Sequence, residues 1–244
     1  MTGPTQFSSA KDKTLFTPGP LTTSQNVKQA MLRDLGSRDI AFIEVVSHIR
    51  QTLLAIAGVS REKGYEAVLM QGSGTFGLES VIGSTVPANG KLLVIINGAY
   101  GVRIAKIAEV LKIDAALLEY APNTVPVPSD VDRMLNEDQA ITNVAVVHCE
   151  TTTGIINPIE KIGQIIKHHE KVYFVDSMSA FGAVLFDFEK CGIDFLVSSA
   201  NKCIEGVPGF AGPRAARSWA IFSARSSRHS TRHVQCNRTP GQFP

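Results

Sequence analysis

The four cysteines, Cys149, Cys191, Cys203 and Cys236, contain no C-x-x-C pair, and none of their gaps suggests a disulfide framework or a zinc site. They read as reduced thiols of an intracellular protein, and no metal site is expected. No apolar run approaches the roughly 18 residues that a membrane helix needs. No charged-then-apolar leader opens the chain. The expectation is a soluble cytoplasmic protein without a membrane partner, with an organellar address left open by the short Lys11-to-Lys13 patch. Acidic residues are missing altogether after Glu205, whereas Arg214, Arg217, Arg225, Arg228, Arg232 and Arg238 follow it. Without those six of the 24 basic residues, 18 stand against 22 acidic ones, so a mildly acidic body carries a basic tail. That tail, 213–244, has Trp219, two phenylalanines and no strand or helix period. It is expected to be disordered and to bind no nucleic acid.

What is present is a 244-residue chain, 44% hydrophobic and 19% charged, enough for one large domain. Residues 1–13 are polar and expected to be flexible. Phe16-Thr-Pro-Gly-Pro20 is a rigid turn, and Ser24 is placed to cap a short helix over Val27, Ala30 and Met31. Ile40, Ile43, Val46, Leu53 and Leu54 mark a longer amphipathic helix closed by Gly58. Apolar runs at 67–70, 91–96, 115–120, 143–150, 172–176 and from Phe195 read as strands. Helical periods separate most of them. One starts at the glycine turn 71–77, one carries Ile104, Ile107 and Ala108, one is capped by Ser129, and one follows Asn157-Pro158 with a stripe of Ile159, Ile162, Ile165 and Ile166. Strands alternating with helices predict an α/β three-layer sandwich with a mostly parallel central sheet. Ligands of such sheets sit at the carboxyl ends of the strands, where the polar clusters of this chain fall.

Two of those clusters have complementary chemistry. Val172-Tyr-Phe-Val-Asp176 delivers a carboxylate at a strand mouth, where burial is costly without a cationic partner. Phe195-Leu-Val-Ser-Ser-Ala-Asn-Lys202 delivers an amine. Asp176 at a pyridine nitrogen and Lys202 on an aldehyde describe a pyridoxal 5′-phosphate site. Strand, glycine turn and helix start at Gln71-Gly-Ser-Gly-Thr75 make an anion cradle, with hydroxyls from Ser73 and Thr75. Gly72, Gly74 and Gly77 also spell the dinucleotide fingerprint, but Asn97 stands where that fingerprint needs an acid. Tyr100 lies in a glycine-flanked turn, where an aromatic face can stack on a flat ring. The hydroxyls of 151–153 can bond the ring's phenolic oxygen. His148 is expected to be a core histidine, His168 and His169 solvated, and Cys203 structural.

Taken together, Phe16-Thr-Pro-Gly-Pro20, Gln71-Gly-Ser-Gly-Thr75, Asn97-Gly-Ala-Tyr-Gly101, Glu150-Thr-Thr-Thr-Gly154, Val175-Asp-Ser177 and Ser199-Ala-Asn-Lys-Cys203 resemble the fold-type I, class V aminotransferases over about residues 13–212. The resemblance implies a pyridoxal-phosphate-binding large domain over 14–212, with the C-terminal small domain of the family missing. It implies that Lys202 links to the cofactor and shuttles protons, that Asp176 pairs with the pyridinium nitrogen and that Tyr100 stacks on the ring. Ser73, Gly74 and Thr75 would hold the phosphate, Thr151 the phenolic oxygen, and Asn201 would lie near the phosphate. It further implies a homodimer acting on a small-molecule amine and a keto acid. The wording is nearest to members that move an amino group from 2-aminoethylphosphonate to pyruvate. A catalytically silent chain that binds cofactor or a full-length partner, and an alanine:glyoxylate type, are the alternatives.

Overall fold

The computed structural model describes residues 14–207 and the backbone of 218–222. The expectations for residues 1–13, for the boundary at 212, for Cys236 and for most of the tail lie outside the described residues. In chain order the elements are α1 (Gln25–Ala30), α2 (Ile40–Ile56), β1 (Val68–Met70), α3 (Gly74–Thr85), β2 (Lys91–Ile96), α4 (Ala99–Val110) and β3 (Asp114–Glu119). There follow α5 (Pro128–Glu137), β4 (Ile141–Val147), the short pair β5 (Cys149–Glu150) and β6 (Ile155–Ile156), α6 (Ile159–His168), β7 (Val172–Asp176), β8 (Phe195–Val197) and β9 (Ser218–Phe222).

The main sheet has seven strands in the order β1-β9-β8-β7-β4-β2-β3. The run β3, β2, β4, β7, β8 is parallel throughout, with Val147 opposite Asp176 and Asp176 opposite Val197. Parallel strands buried on both faces need side chains that are apolar on both, and β2 supplies them: Leu93 and Ile95 face one core, Leu92, Val94 and Ile96 the other. The first core includes Leu53 and Leu54 of α2, Val131 and Leu135 of α5, and Ile159, Ile162 and Ile166 of α6. The second includes Leu78, Val81 and Ile82 of α3 with Ile104, Ile107 and Ala108 of α4. This is the three-layer α/β sandwich expected from the alternation of apolar runs.

Some expectations are corrected. The tail is not devoid of strand: Ser218–Phe222 pairs antiparallel with β1 on one side and with β8 on the other. A five-residue apolar-centred segment reads weakly by period, but the N–H and C=O rows of two neighbouring strands give it hydrogen-bond partners on both sides. Asn157 does not cap α6. The cap position is Pro158, and the buried Asn157 amide instead reaches Asn97 and the Val147 carbonyl. α5 starts at Pro128, ahead of Ser129, because proline at a first helical position leaves no N–H to satisfy. His169 is not simply solvated, since its Nε2 lies 2.7 Å from Asp132 Oδ1.

The expected ends of α1 and α2 hold. Ser24 Oγ accepts the Val27 N–H, and Gly58 follows α2 with a φ of +71° that suits glycine. No helix of the described residues is long and apolar enough to cross a membrane.

Candidate active site

The carboxyl ends of β2, β4, β7 and β8 converge, and the polar clusters meet there. Asp176 ends β7 and is 2% exposed. Its Oδ1 accepts the Met178 N–H at 3.1 Å, whereas its Oδ2 is buried with no hydrogen-bond partner. Burial pushes the carboxyl up to about 6, with the charge of Glu150 acting in the same direction and those of Arg103 and Lys202 against it. Lys202 lies just beyond β8, half-buried, with Nζ 3.5 Å from the Gly19 carbonyl. Burial lowers its pKa and the charge of Arg103 lowers it further, while Cys203 and Asp176 oppose. The turn Phe16–Pro20 therefore passes over the lysine, and Leu21 N–H donates to the Asn201 carbonyl beside it at 3.3 Å. A Cβ on Gly19 would run into the Lys202 side chain, and its φ of +145° also favours glycine where the turn crosses.

The cradle forms as its sequence suggests. Ser73 is the N-cap of α3 and its Oγ accepts the Phe76 N–H at 3.2 Å. Gly74 and Thr75 open the helix, so their N–H groups have no intrahelical partner and the positive end of the helix dipole lies with them. A Cβ on Gly74 would meet Met178 and Ser199, which places the cradle against the turns that follow β7 and β8. Tyr100 sits in the first turn of α4, half-buried, with the Arg103 guanidinium 4.7 Å from its ring centroid. Thr151 lies in the β5–β6 turn, its Oγ1 2.7 Å from Ser179 Oγ. Asn201 is held by Ser199, whose hydroxyl donates to its Oδ1 at 3.0 Å.

Four buried polar residues beside the site, Asn97, Asn157, Glu150 and His148, make contacts that the sequence alone does not assign. The amides of Asn97 and Asn157 bond each other at 2.8 and 3.2 Å, tying the end of β2 to the approach of α6. Glu150, fully enclosed, takes the Tyr100 N–H at 3.2 and 3.3 Å. His148 is a core histidine, its Nδ1 2.9 Å from Ser177 Oγ, and burial pushes it down to about 4, so it is neutral at neutral pH. Only the buried, pairwise nature of these contacts explains them, and single-sequence periodicity reports none of it.

The chemistry of the cluster fits pyridoxal 5′-phosphate. The Oδ2 of Asp176 is a buried acceptor without a hydrogen-bond partner, the amine follows the neighbouring strand, and first-turn N–H groups such as those of the cradle suit a phosphate. An α/β sandwich with this set defines a fold-type I cofactor-binding domain of the aminotransferase class. The class-V aminotransferase profile matches residues 20–211, and the chain belongs to that family, whose cofactor is pyridoxal 5′-phosphate.

It is 52% identical over 199 residues to a 2-aminoethylphosphonate–pyruvate transaminase of Bacillus cereus strain G9842, covering 80% of this chain and 53% of that protein. A Bacillus anthracis transaminase of the same name is 51% identical over the same length. Among solved structures, pyridoxamine-pyruvate aminotransferase from Mesorhizobium loti aligns with a TM-score of 0.77 at 25% identity, over 90% of this chain and 53% of that one. Ureidoglycine-glyoxylate aminotransferase from Bacillus subtilis aligns at 0.78 and 25%, over 87% and 52%. The chain spans about half the length of the relatives it matches.

Proposed function

We propose that this chain holds pyridoxal 5′-phosphate and supplies the cofactor-binding part of a transaminase that moves the amino group of 2-aminoethylphosphonate to pyruvate, giving phosphonoacetaldehyde and alanine. The observation that carries the cofactor reading is the buried, unpartnered Asp176 Oδ2. The substrate pair rests on likeness to the Bacillus transaminases, whose names carry both compounds. It is favoured over an alanine:glyoxylate type because a solved enzyme of that name is only 22% identical and speaks for the fold alone.

In this reading Asp176 Oδ2 would accept the pyridinium N–H, and its carboxylate charge would stabilise that proton. The N–H groups of Gly74 and Thr75 with the Ser73 and Thr75 hydroxyls hold the phosphate, with Asn201 nearby. Thr151 would donate to the phenolic oxygen and Tyr100 would cover one ring face. Lys202 Nζ, whose pKa is lowered by burial, would hold the cofactor through its aldehyde carbon, with water as the leaving group. The same nitrogen would be the group that takes the proton from the amino-bearing carbon of the substrate and gives it back. When bound, the cofactor supplies an electron-withdrawing ring that takes up the electron pair left behind. The pyruvate half runs the same proton transfers in reverse.

The proposal includes a homodimer in the cytoplasm. Phe16, Leu32 and Ile40 expose apolar side chains along the N-terminal segment, a surface of the kind that a second subunit covers.

The test is direct. Addition of pyridoxal 5′-phosphate to the purified chain should produce a new visible absorption band, and Lys202→Ala should abolish it. Borohydride reduction followed by peptide mapping should place the adduct on Lys202. Folded protein that gives no band would overturn the cofactor reading. A band that 2-aminoethylphosphonate leaves unchanged would overturn the substrate.

A further inference from the structure

Among the described residues Glu150 is the one buried carboxylate besides Asp176, and the proposed chemistry gives it no part. Among the described residues no lysine, arginine or histidine forms an ion pair with it. Its partners are neutral donors: the Tyr100 N–H at 3.2 and 3.3 Å to its two oxygens, and the Thr152 hydroxyl at 2.8 Å to Oε1. A buried charge needs such compensation, and the position supplies more of it. Tyr100 is the second residue of α4, so the carboxylate sits at the positive end of that helix.

The cap residue of α4 is Gly98, which has no side chain with which to accept an N–H. A Cβ there would run into the Glu150 side chain. Glycine and glutamate are therefore one device. The cap that Gly98 cannot provide comes across from β5, and the missing Cβ leaves the room for it.

The device joins two parts of the site. Tyr100 belongs to α4, and Thr151, the next residue after Glu150, belongs to the β5–β6 turn with its hydroxyl on Ser179. We infer that Glu150 is a positioning residue which, by capping α4 in trans, fixes the Tyr100 ring relative to the Thr151 hydroxyl and so sets the slot for a flat aromatic ligand. The inference rests on the reading of Tyr100 and Thr151 given above.

The experiment is a double-mutant cycle read by pyridoxal 5′-phosphate affinity, titrated by absorbance on the purified chain. Glu150→Ala should weaken binding about tenfold or more in the wild-type background, but less than about twofold in Tyr100→Ala, because both changes remove the same constraint. Glu150→Gln keeps an acceptor oxygen for the Tyr100 N–H and should stay within about threefold of wild type. If Glu150→Ala does not fold, Gly98→Ala, which pushes the carboxylate off the helix end, should give the same coupled loss. Additive losses in the cycle would overturn the inference, because a merely structural carboxylate would weaken both backgrounds alike. Amide hydrogen exchange at Tyr100 in cofactor-free protein is the second measurement: faster exchange in Glu150→Ala and not in Glu150→Gln is expected, and no change in either overturns the tie. Absence of any absorbance change in wild type would overturn the cofactor reading itself, and the exchange measurement would still decide the inference.

Discussion

Burial raises the Asp176 carboxyl from an ordinary 3.8 to about 6, so between those values the folded, cofactor-free chain holds a proton that the unfolded chain has released. Stability from this residue is therefore full below pH 3.8 and lost as pH rises through 6, a cost on the order of 3 kcal/mol at neutral pH. His148 works the other way. Its pKa falls from 6.5 to about 4, so its contribution is present above 6.5 and lost as pH falls through 4. Asp176→Asn keeps an acceptor for the Met178 N–H and removes the buried charge. Without cofactor it should be more stable than wild type at pH 7, by up to about 3 kcal/mol, and nearly equal at pH 4. The same variant should bind pyridoxal 5′-phosphate at least about tenfold more weakly, since the cation loses its carboxylate. Urea unfolding at the two pH values checks the first claim, and a variant less stable than wild type at pH 7 would refute it. The carboxylate was legible in the sequence, because Val172–Val175 leads straight into it. Its orphaned oxygen was not, because an unpaired atom is a property of everything around it.

Among the elements, two strands were legible to the residue, β2 as 91–96 and β7 as 172–176, whereas the run read as 143–150 is β4 over Ile141–Val147 followed by β5. β2 and β7 lie inside the parallel sheet, where two-sided burial forces the interior positions to be apolar and leaves polar residues only at the ends, Lys91 and Asp176. The β5–β6 pair was not legible, since strands of two residues carry no period and the threonines between them read equally as a plain turn. Nor was the Asn97–Asn157 pair, whose partners stand 60 residues apart. Local rules assign Asn157 to a helix cap, and the buried Val147 carbonyl outbids that use by offering a bond that nothing else can make. Asn157→Ala should accordingly cost about 2 kcal/mol, because it leaves the Asn97 amide and the Val147 carbonyl short of partners in a closed space. Asp132→Ala, which breaks only the partly exposed contact to His169, should cost less than about 1 kcal/mol. Chemical denaturation of both variants decides it, and equal losses would mean that the amide pair is not the tie between β2 and the approach to α6.

At the scale of the whole molecule, β9 decides how the sheet is completed. β1 sits at the sheet edge with β9 as its partner, and β8, which leads into Lys202, has β7 on one side and β9 on the other. The strand that a period analysis of the basic tail passed over thus joins the strand leading into the cradle to the strand leading into the amine. α3 also lies against it. Ala220 stands at the centre, opposite Val68 in β1 and Val197 in β8. A proline there would remove one ladder N–H and push the neighbouring strand away, and proline is tolerated in sheets only at edges or bulges. Ala220→Pro should therefore lower the stability of the chain by about 2 kcal/mol or more, through the lost bond and the carbonyl left without a donor. It should also weaken pyridoxal 5′-phosphate binding although residue 220 is no part of the cradle, because β1 and β8 lose their common partner. Leu185→Ala, at a fully exposed side chain, should leave both quantities within about 0.5 kcal/mol of wild type. Thermal unfolding and cofactor titration of the two variants separate the cases. Equal behaviour of Ala220→Pro and wild type would mean that the sheet closes without β9.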